Sequence, residues 1–237
     1  NNYRVSTDAT ELAGRPSDKK ILGLFSPSTM PVMLRGEDGR LAEKPSPSWA
    51  HYIFKYFGSV DQPEPMACEP NPEFAGMPSL KSMTESALGQ LANEQGFFLM
   101  VESASIDKQS HERMPCGSIG EVKQLNEVID SALAFAEDHP NTLILITADH
   151  GQAAQLIPET TMFDEFGVPV FTPGSVARIR TPEGSVMGVN YATNDFFYEE
   201  HTGTNVPVFA NSEGVGRVPS MITQPEIFDI AKDYLEL

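Results

Sequence analysis

Phe97-Phe98-Leu99-Met100-Val101 and Thr142-Leu143-Ile144-Leu145-Ile146-Thr147 are the two stretches on which the fold turns. Both run apolar without alternation, as strands covered on both faces do. Between them, from about Gly120 to Asp138, Val122, Leu125, Ile129, Leu133 and Ala136 fall on one helical stripe that His139-Pro140-Asn141 ends. Strand, helix and strand make a unit whose two strands are expected to run parallel. The fold class is therefore α/β, a central mostly parallel sheet flanked by helices.

Working outward, Ser79 caps a helix carrying Leu80, Met83, Ala87, Leu88 and Leu91 at three- and four-residue spacing, with a stop at Gly96. Further upstream, Ile21-Leu22-Gly23-Leu24-Phe25 reads as a buried strand that turns out through Ser26-Pro27-Ser28. Gly36 to Pro78 is rich in proline and carries an aromatic island of Trp49, Tyr52, Phe54, Tyr56 and Phe57. It is expected to be an excursion from the core, with the island forming a local mini-core under a long loop rather than the alternative, a subunit contact. Pro158 to Gly184 is a second turn-rich excursion, and Val186 to Tyr191 and Val206 to Ala210 are weaker strands. Thr223-Gln224-Pro225-Glu226 has capping-box spacing and opens a last helix with Ile227, Phe228, Ile230, Ala231 and Tyr234 on it.

The chain has 237 residues, 16 Lys and Arg against 33 Asp and Glu, and a formal net charge of −17. That balance, with no basic block beyond Lys19-Lys20, argues against a nucleic-acid partner or an anionic membrane surface. No apolar run approaches the roughly 20 residues that span a bilayer. Asn1-Asn2-Tyr3-Arg4 has no initiator Met, basic n-region or apolar h-region, so the chain is expected to be processed or a piece of a longer one.

In open α/β sheets ligands bind beyond the carboxyl ends of the strands. The first apolar run leads into Glu102-Ser103-Ala104-Ser105-Ile106-Asp107-Lys108-Gln109-Ser110-His111, and the second into Ala148-Asp149-His150-Gly151. Asp107 and His111, four apart, share one face of a helical turn. Asp149 and His150 can reach one ion once the chain turns at Gly151. Mixed Asp and His ligation suits zinc, Glu102 suits a harder ion such as magnesium, and a two-metal hydrolytic site is the natural reading. The bland alternative is a helix N-cap beside a surface histidine, with Lys108 a solvated lysine. His51 and His139 receive no role.

These blocks, with Pro115-Cys116-Gly117, Ile119-Gly120-Glu121 and His201-Thr202-Gly203, together resemble the C-terminal half of a bacterial alkaline phosphatase in order and spacing. Leu22-Gly23-Leu24-Phe25 with Met30-Pro31, and Cys68 before Glu69-Pro70-Asn71-Pro72, extend the match over most of the chain except the excursions. The resemblance implies an alkaline-phosphatase-like fold, of which residues 1–237 are the C-terminal portion of one domain, with excursions at about 36–78 and 158–184. It implies phosphomonoester hydrolysis through a phosphoserine intermediate, with two zinc ions and one magnesium. Asp107, His111 and His201 match the ligands of the first zinc, Asp149 and His150 two ligands of the second, and Glu102 a magnesium ligand. Lys108 matches a lysine that contacts phosphate through water. Taken alone, Glu199-Glu200-His201 reads as a solvated acidic turn, and only the resemblance lifts His201 above that.

Two departures stand out. Gln152 occupies a place where several family members have a histidine that supports a zinc-bound aspartate, which leaves room for weaker zinc. The family's serine nucleophile, in an Asp-Ser-Ala segment, has no counterpart here. Asp130-Ser131-Ala132 imitates it mid-helix, away from any helix N-terminus, and is rejected. Ser103 and Ser105 match non-nucleophilic positions. The expected partners are therefore a phosphate monoester, a complementary N-terminal polypeptide that supplies the serine, and a second copy in a homodimer of the whole enzyme. Cys68 and Cys116 match half-cystines of the bacterial family, implying a disulfide and a periplasmic or secreted location. Free buried cysteines are the alternative. The rival functions are a phosphodiesterase or mutase of the same superfamily, and a non-catalytic zinc-binding fragment. The surplus of acids suggests the surface of a halophilic protein.

Overall fold

The computed structural model describes residues 3–12, 19–92 and 96–237. Asn1 and Asn2 of the opening tetrapeptide, and residues 93–95 just before Gly96, lie outside them. In chain order the first strands are β1 (Tyr3–Ser6), β2 (Lys20–Gly23), β3 (Leu34–Gly36) and β4 (Ser46–Pro47), followed by a short helix α1 (Trp49–Ile53), β5 (Val60–Asp61) and β6 (Cys68–Pro70). Three helices follow: α2 (Leu80–Leu91), α3 (Ser105–His111) and α4 (Pro115–Asp138). Then come β7 (Leu145–Thr147), β8 (Gln155–Ile157), β9 (Ser175–Arg180), β10 (Val186–Tyr191), β11 (Val208–Ala210) and α5 (Gln224–Tyr234).

The helices form where periodicity and caps direct. Ser79 accepts the Ser82 amide at 3.1 Å to start α2, and the Glu226 carboxylate takes the Thr223 amide at 2.6 Å to start α5. The helix expected from Gly120 begins earlier, at Pro115, which sits in the first turn where its missing N–H costs nothing. α4 lies against β3, and Gly120 permits the approach, since a Cβ there would stand 2.8 Å from the Leu34 amide nitrogen. Buried Glu121 accepts the Met33 amide at 3.0 Å and the Gln124 side chain at 2.8 Å. Gln124 in turn accepts the Leu80 amide at 3.0 Å, so one polar network ties α4 to α2 and to the approach of β3.

The expected central parallel sheet is corrected. Among the described residues the sheets have two or three strands, and the one parallel pair is β1 with β2. Residues 97–101 form no strand, and Phe98 and Met100 are 66% and 74% exposed. An unbroken apolar run needs cover on both faces to act as a central strand, and the described residues do not supply it. The expected strand at 142–147 shortens to β7, which pairs antiparallel with β11.

The excursions are also corrected. β10 pairs antiparallel with β8 on one side and β9 on the other, and Glu43 and Met66 bridge to Val176 and Ile179 on β9. The best buried cluster is built here, from Ala42, Met66, Cys116, Ala153, Ala177, Ile179, Val189 and Tyr191. Both excursions therefore contribute to the core. The aromatic island does not form a mini-core: Trp49, Tyr52, Tyr56 and Phe57 are exposed, and His51 is the residue that turns inward, against Phe171. Cys68 on β6 and Cys116 on α4 form a disulfide, with Cα atoms 5.3 Å apart. No described helix is long and apolar enough to cross a membrane.

Candidate metal centre

α3 is a short helix, and its last turn places Asp107 and His111 on one face, with His111 Nε2 3.3 Å from Asp107 Oδ2. His201 arrives from a separate segment. Its Nε2 stands 2.9 Å from His111 Nε2 and 3.2 Å from Asp107 Oδ1. Gly151 and Thr202 form an isolated β-bridge, with the Thr202 amide donating to the Gly151 carbonyl at 3.0 Å. That bridge lays His150 beside His201, with ring centroids 3.6 Å apart. Asp107, His150 and His201 offer ligand atoms all within 4.8 Å of one another.

The donors suit zinc. Four-coordinate zinc with bonds of about 2.0–2.1 Å separates its ligand atoms by about 3.3 Å. His111 Nε2 and His201 Nε2 stand 2.9 Å apart, and Asp107 approaches His201 through Oδ1 at 3.2 Å and His111 through Oδ2 at 3.3 Å, separations near that value. His111 Nδ1 pairs with the Glu199 carbonyl oxygen. A carbonyl only accepts, so the ring proton belongs on Nδ1 and the Nε2 lone pair is available to an ion. Tyr198 stacks on the His111 ring at 4.4 Å. The Tyr198 hydroxyl pKa is raised by desolvation first, then by the acidic charges of Glu112, Asp107 and Glu200.

Of the residues singled out in the sequence, Asp107, His111, His201 and His150 come together. Asp149 touches His150, Oδ2 to Nε2 at 3.3 Å, but its side chain is 82% exposed. Glu102 is exposed and makes no hydrogen bond or ion pair among the described residues. Lys108 is likewise exposed, donating to Thr29 Oγ1 at 3.3 Å. Gln152, the departure from the family pattern, donates its side-chain amide to Asp107 Oδ1 at 2.6 Å. Ser131 donates to Glu85 at 2.9 Å across the α2–α4 contact, a structural partner for a serine rejected as nucleophile.

Two residues escaped the sequence reading. Glu199, within the expected solvated turn, is wholly buried, and its partner is Arg113, Nε to Oε2 at 2.8 Å. Burial would raise the Glu199 pKa, but hydrogen bonds from Thr193, Arg113 and the Asn194 amide outweigh it and hold the carboxyl below its ordinary value. Nothing in the string of acids signals which one turns inward. The only local hint is that Arg113 lies two residues after one candidate ligand and Glu199 two before another.

A family model for alkaline phosphatase matches residues 1–195. The chain belongs to the alkaline phosphatase family. An alkaline phosphatase of Escherichia fergusonii is 35% identical over 99% of this chain and 46% of its own length. The streptomycin-6-phosphate phosphatase of Streptomyces griseus is 34% identical over 95% of the chain and 46% of its own length. The fold resembles that of a variant alkaline phosphatase from TAB5 solved with magnesium in its M3 site. The TM-score is 0.59 at 21% identity, covering 99% of this chain and 53% of the other. The chain spans about half the length of the curated alkaline phosphatases it matches.

Proposed function

We propose that this chain supplies the zinc-binding part of an enzyme that hydrolyses phosphate monoesters. The observation that carries the reading is the convergence of Asp107, His111 and His201, whose donor atoms approach one another at 2.9 to 3.3 Å, near the ligand spacing of four-coordinate zinc. These three residues would hold a first zinc, and Asp149 with His150 would give two ligands to a second. Zinc, when bound, supplies a Lewis acid for the phosphoryl and leaving-group oxygens. Asp107 neutralises charge and orients toward both sets, held by Gln152. The histidines act as neutral donors, His111 through Nε2. Lys108, exposed on its long stem, would meet phosphate through water, and Glu102 would take magnesium.

The nucleophile in this reading is a serine on a complementary N-terminal polypeptide, which would be phosphorylated and then hydrolysed. The exposed apolar run at 97–101 supports such a partner, since it offers a surface that a neighbouring strand would cover. The family resemblance adds a homodimer of the whole enzyme. Location in the periplasm or outside the cell is supported by the disulfide, which persists in oxidising compartments.

Mixing the chain with a polypeptide bearing the family's Asp-Ser-Ala segment should yield p-nitrophenyl phosphate hydrolysis that depends on zinc and magnesium. The chain alone, verified by intact mass, should yield none. Turnover by the isolated chain would refute the missing serine, and cleavage of diesters only would refute the monoesterase.

A further inference from the structure

The turn between α3 and α4 carries more hydrogen bonds than joining two helices requires. Arg113 lies there with φ +58°, the left-handed region that glycine occupies without cost and an arginine does not. Its side chain accounts for the choice. Nε donates to Glu199 Oε2 at 2.8 Å, Nη2 to the Phe196 carbonyl at 2.7 Å and to Asn194 Oδ1 at 3.5 Å, and Nη1 to the Phe197 carbonyl at 3.3 Å. One guanidinium thus holds the whole segment that leads into His201.

Glu199 completes the lock from the other side. Its Oε1 accepts the amides of Thr193 at 2.9 Å and Asn194 at 3.2 Å, together with the Thr193 hydroxyl. Its main chain reaches back to α3: the Glu199 amide donates to the His111 carbonyl at 3.0 Å, and the Glu199 carbonyl oxygen pairs with His111 Nδ1. The same residue is therefore salt-bridged near one ligand-bearing segment, bonded to the ring of His111, and two residues from His201. A buried ion pair in which both carboxylate oxygens accept hydrogen bonds is costly to disturb on one side only.

We propose that Arg113 and Glu199 are positioning residues that fix His111 and His201 relative to each other, so that zinc meets a preformed pair of imidazoles. This rests on the reading that His111 and His201 hold zinc. Neither residue touches the ion in this scheme. Arg113 sets the path of residues 194–199, and Glu199 transmits it to the tautomer and orientation of His111.

The test titrates the 237-residue chain with Zn²⁺ and, separately, records the visible spectrum with Co²⁺ in its place. Glu199→Gln keeps the volume and removes the charge. Arg113→Lys keeps the charge but cannot reach the three carbonyl-type acceptors and the carboxylate at once. Both should weaken Zn²⁺ binding by roughly 10- to 100-fold and alter the Co²⁺ spectrum. The loss from Glu199→Gln should vanish in a His111→Ala background, because the two changes act through one ligand. Urea unfolding of each metal-free variant establishes that it folds, and if Glu199→Gln does not, Arg113→Lys decides. Folded variants with wild-type affinity and spectrum would overturn the proposal. If His111→Ala itself leaves Zn²⁺ binding unchanged, the zinc assignment falls and the positioning role with it. If His111→Ala weakens binding while the Arg113 and Glu199 variants do not, the positioning role alone falls.

Discussion

Tyr191 closes the core at the end of β10 with no exposed surface, and its hydroxyl has no hydrogen-bond partner among the described residues. Desolvation first, and the charge of Glu199 second, push its pKa well above the ordinary value. A raised folded pKa means that Tyr191 favours the native state fully below the unfolded value of about 10 and loses that contribution as pH rises past it. Tyr191→Phe removes both the unpaired hydroxyl and the titration. It should leave the protein as stable at neutral pH, or more stable by about 1 kcal/mol, and should flatten the decline between neutral pH and about pH 11. Urea unfolding at the two pH values measures this, and a variant with the same alkaline decline would show that another group is responsible. At this scale the sequence disclosed chemistry better than environment. Asp107 and His111 were legible because a four-residue spacing puts side chains on one helical face. His201 needed the family motif, and Glu199 was misread, because nothing local distinguishes a buried carboxylate in an acidic string from its solvated neighbour.

The disulfide joins β6 to the first turn of α4 across a sequence separation of 48. It attaches the first excursion to the helix that follows the ligand-bearing turn of α3. Closing a loop of that length in the unfolded chain is worth about 4 kcal/mol. Replacing both cysteines by serine, or reducing the bond, should lower the unfolding free energy by up to that amount, read from urea curves with and without reductant. An unchanged midpoint would place the stabilisation elsewhere. α2, α4 and α5 were legible as elements because their caps and stripes are local signals. The apolar runs were harder. Their composition speaks of cover on two faces, but cover is a tertiary fact, and at 97–101 the described residues leave alternate side chains exposed. The excursions were misjudged for the converse reason: prolines and turns mark irregular backbone, not distance from the core, and Ala42 and Met66 are small or flexible enough to be buried from a loop.

Across the whole molecule, 33 acids face 16 Lys and Arg, and among the described residues six of the exposed or half-exposed acids are committed to Lys or Arg, at Glu37, Glu43, Glu69, Glu85, Glu159 and Asp195. Such pairs are individually weak, so uncompensated repulsion dominates at low ionic strength. Transfer from high to low salt should lower the thermal midpoint, and a midpoint indifferent to salt would set aside the acidic surface as an adaptation. The fold class was readable only as α/β in outline, because the arrangement of small sheets depends on pairings between segments far apart in sequence. The bridge between Gly151 and Thr202 is one such pairing, and it carries a thermodynamic corollary. The imidazoles of His150 and His201 become neighbours only once residues some fifty positions apart have met. An ion that prefers the assembled cluster to the open chain therefore adds its binding free energy to the folding equilibrium itself. If that ion is zinc, as proposed, its concentration would act as a control on how much of the protein is folded, and a chelator would withdraw that support without touching a single bond in the chain.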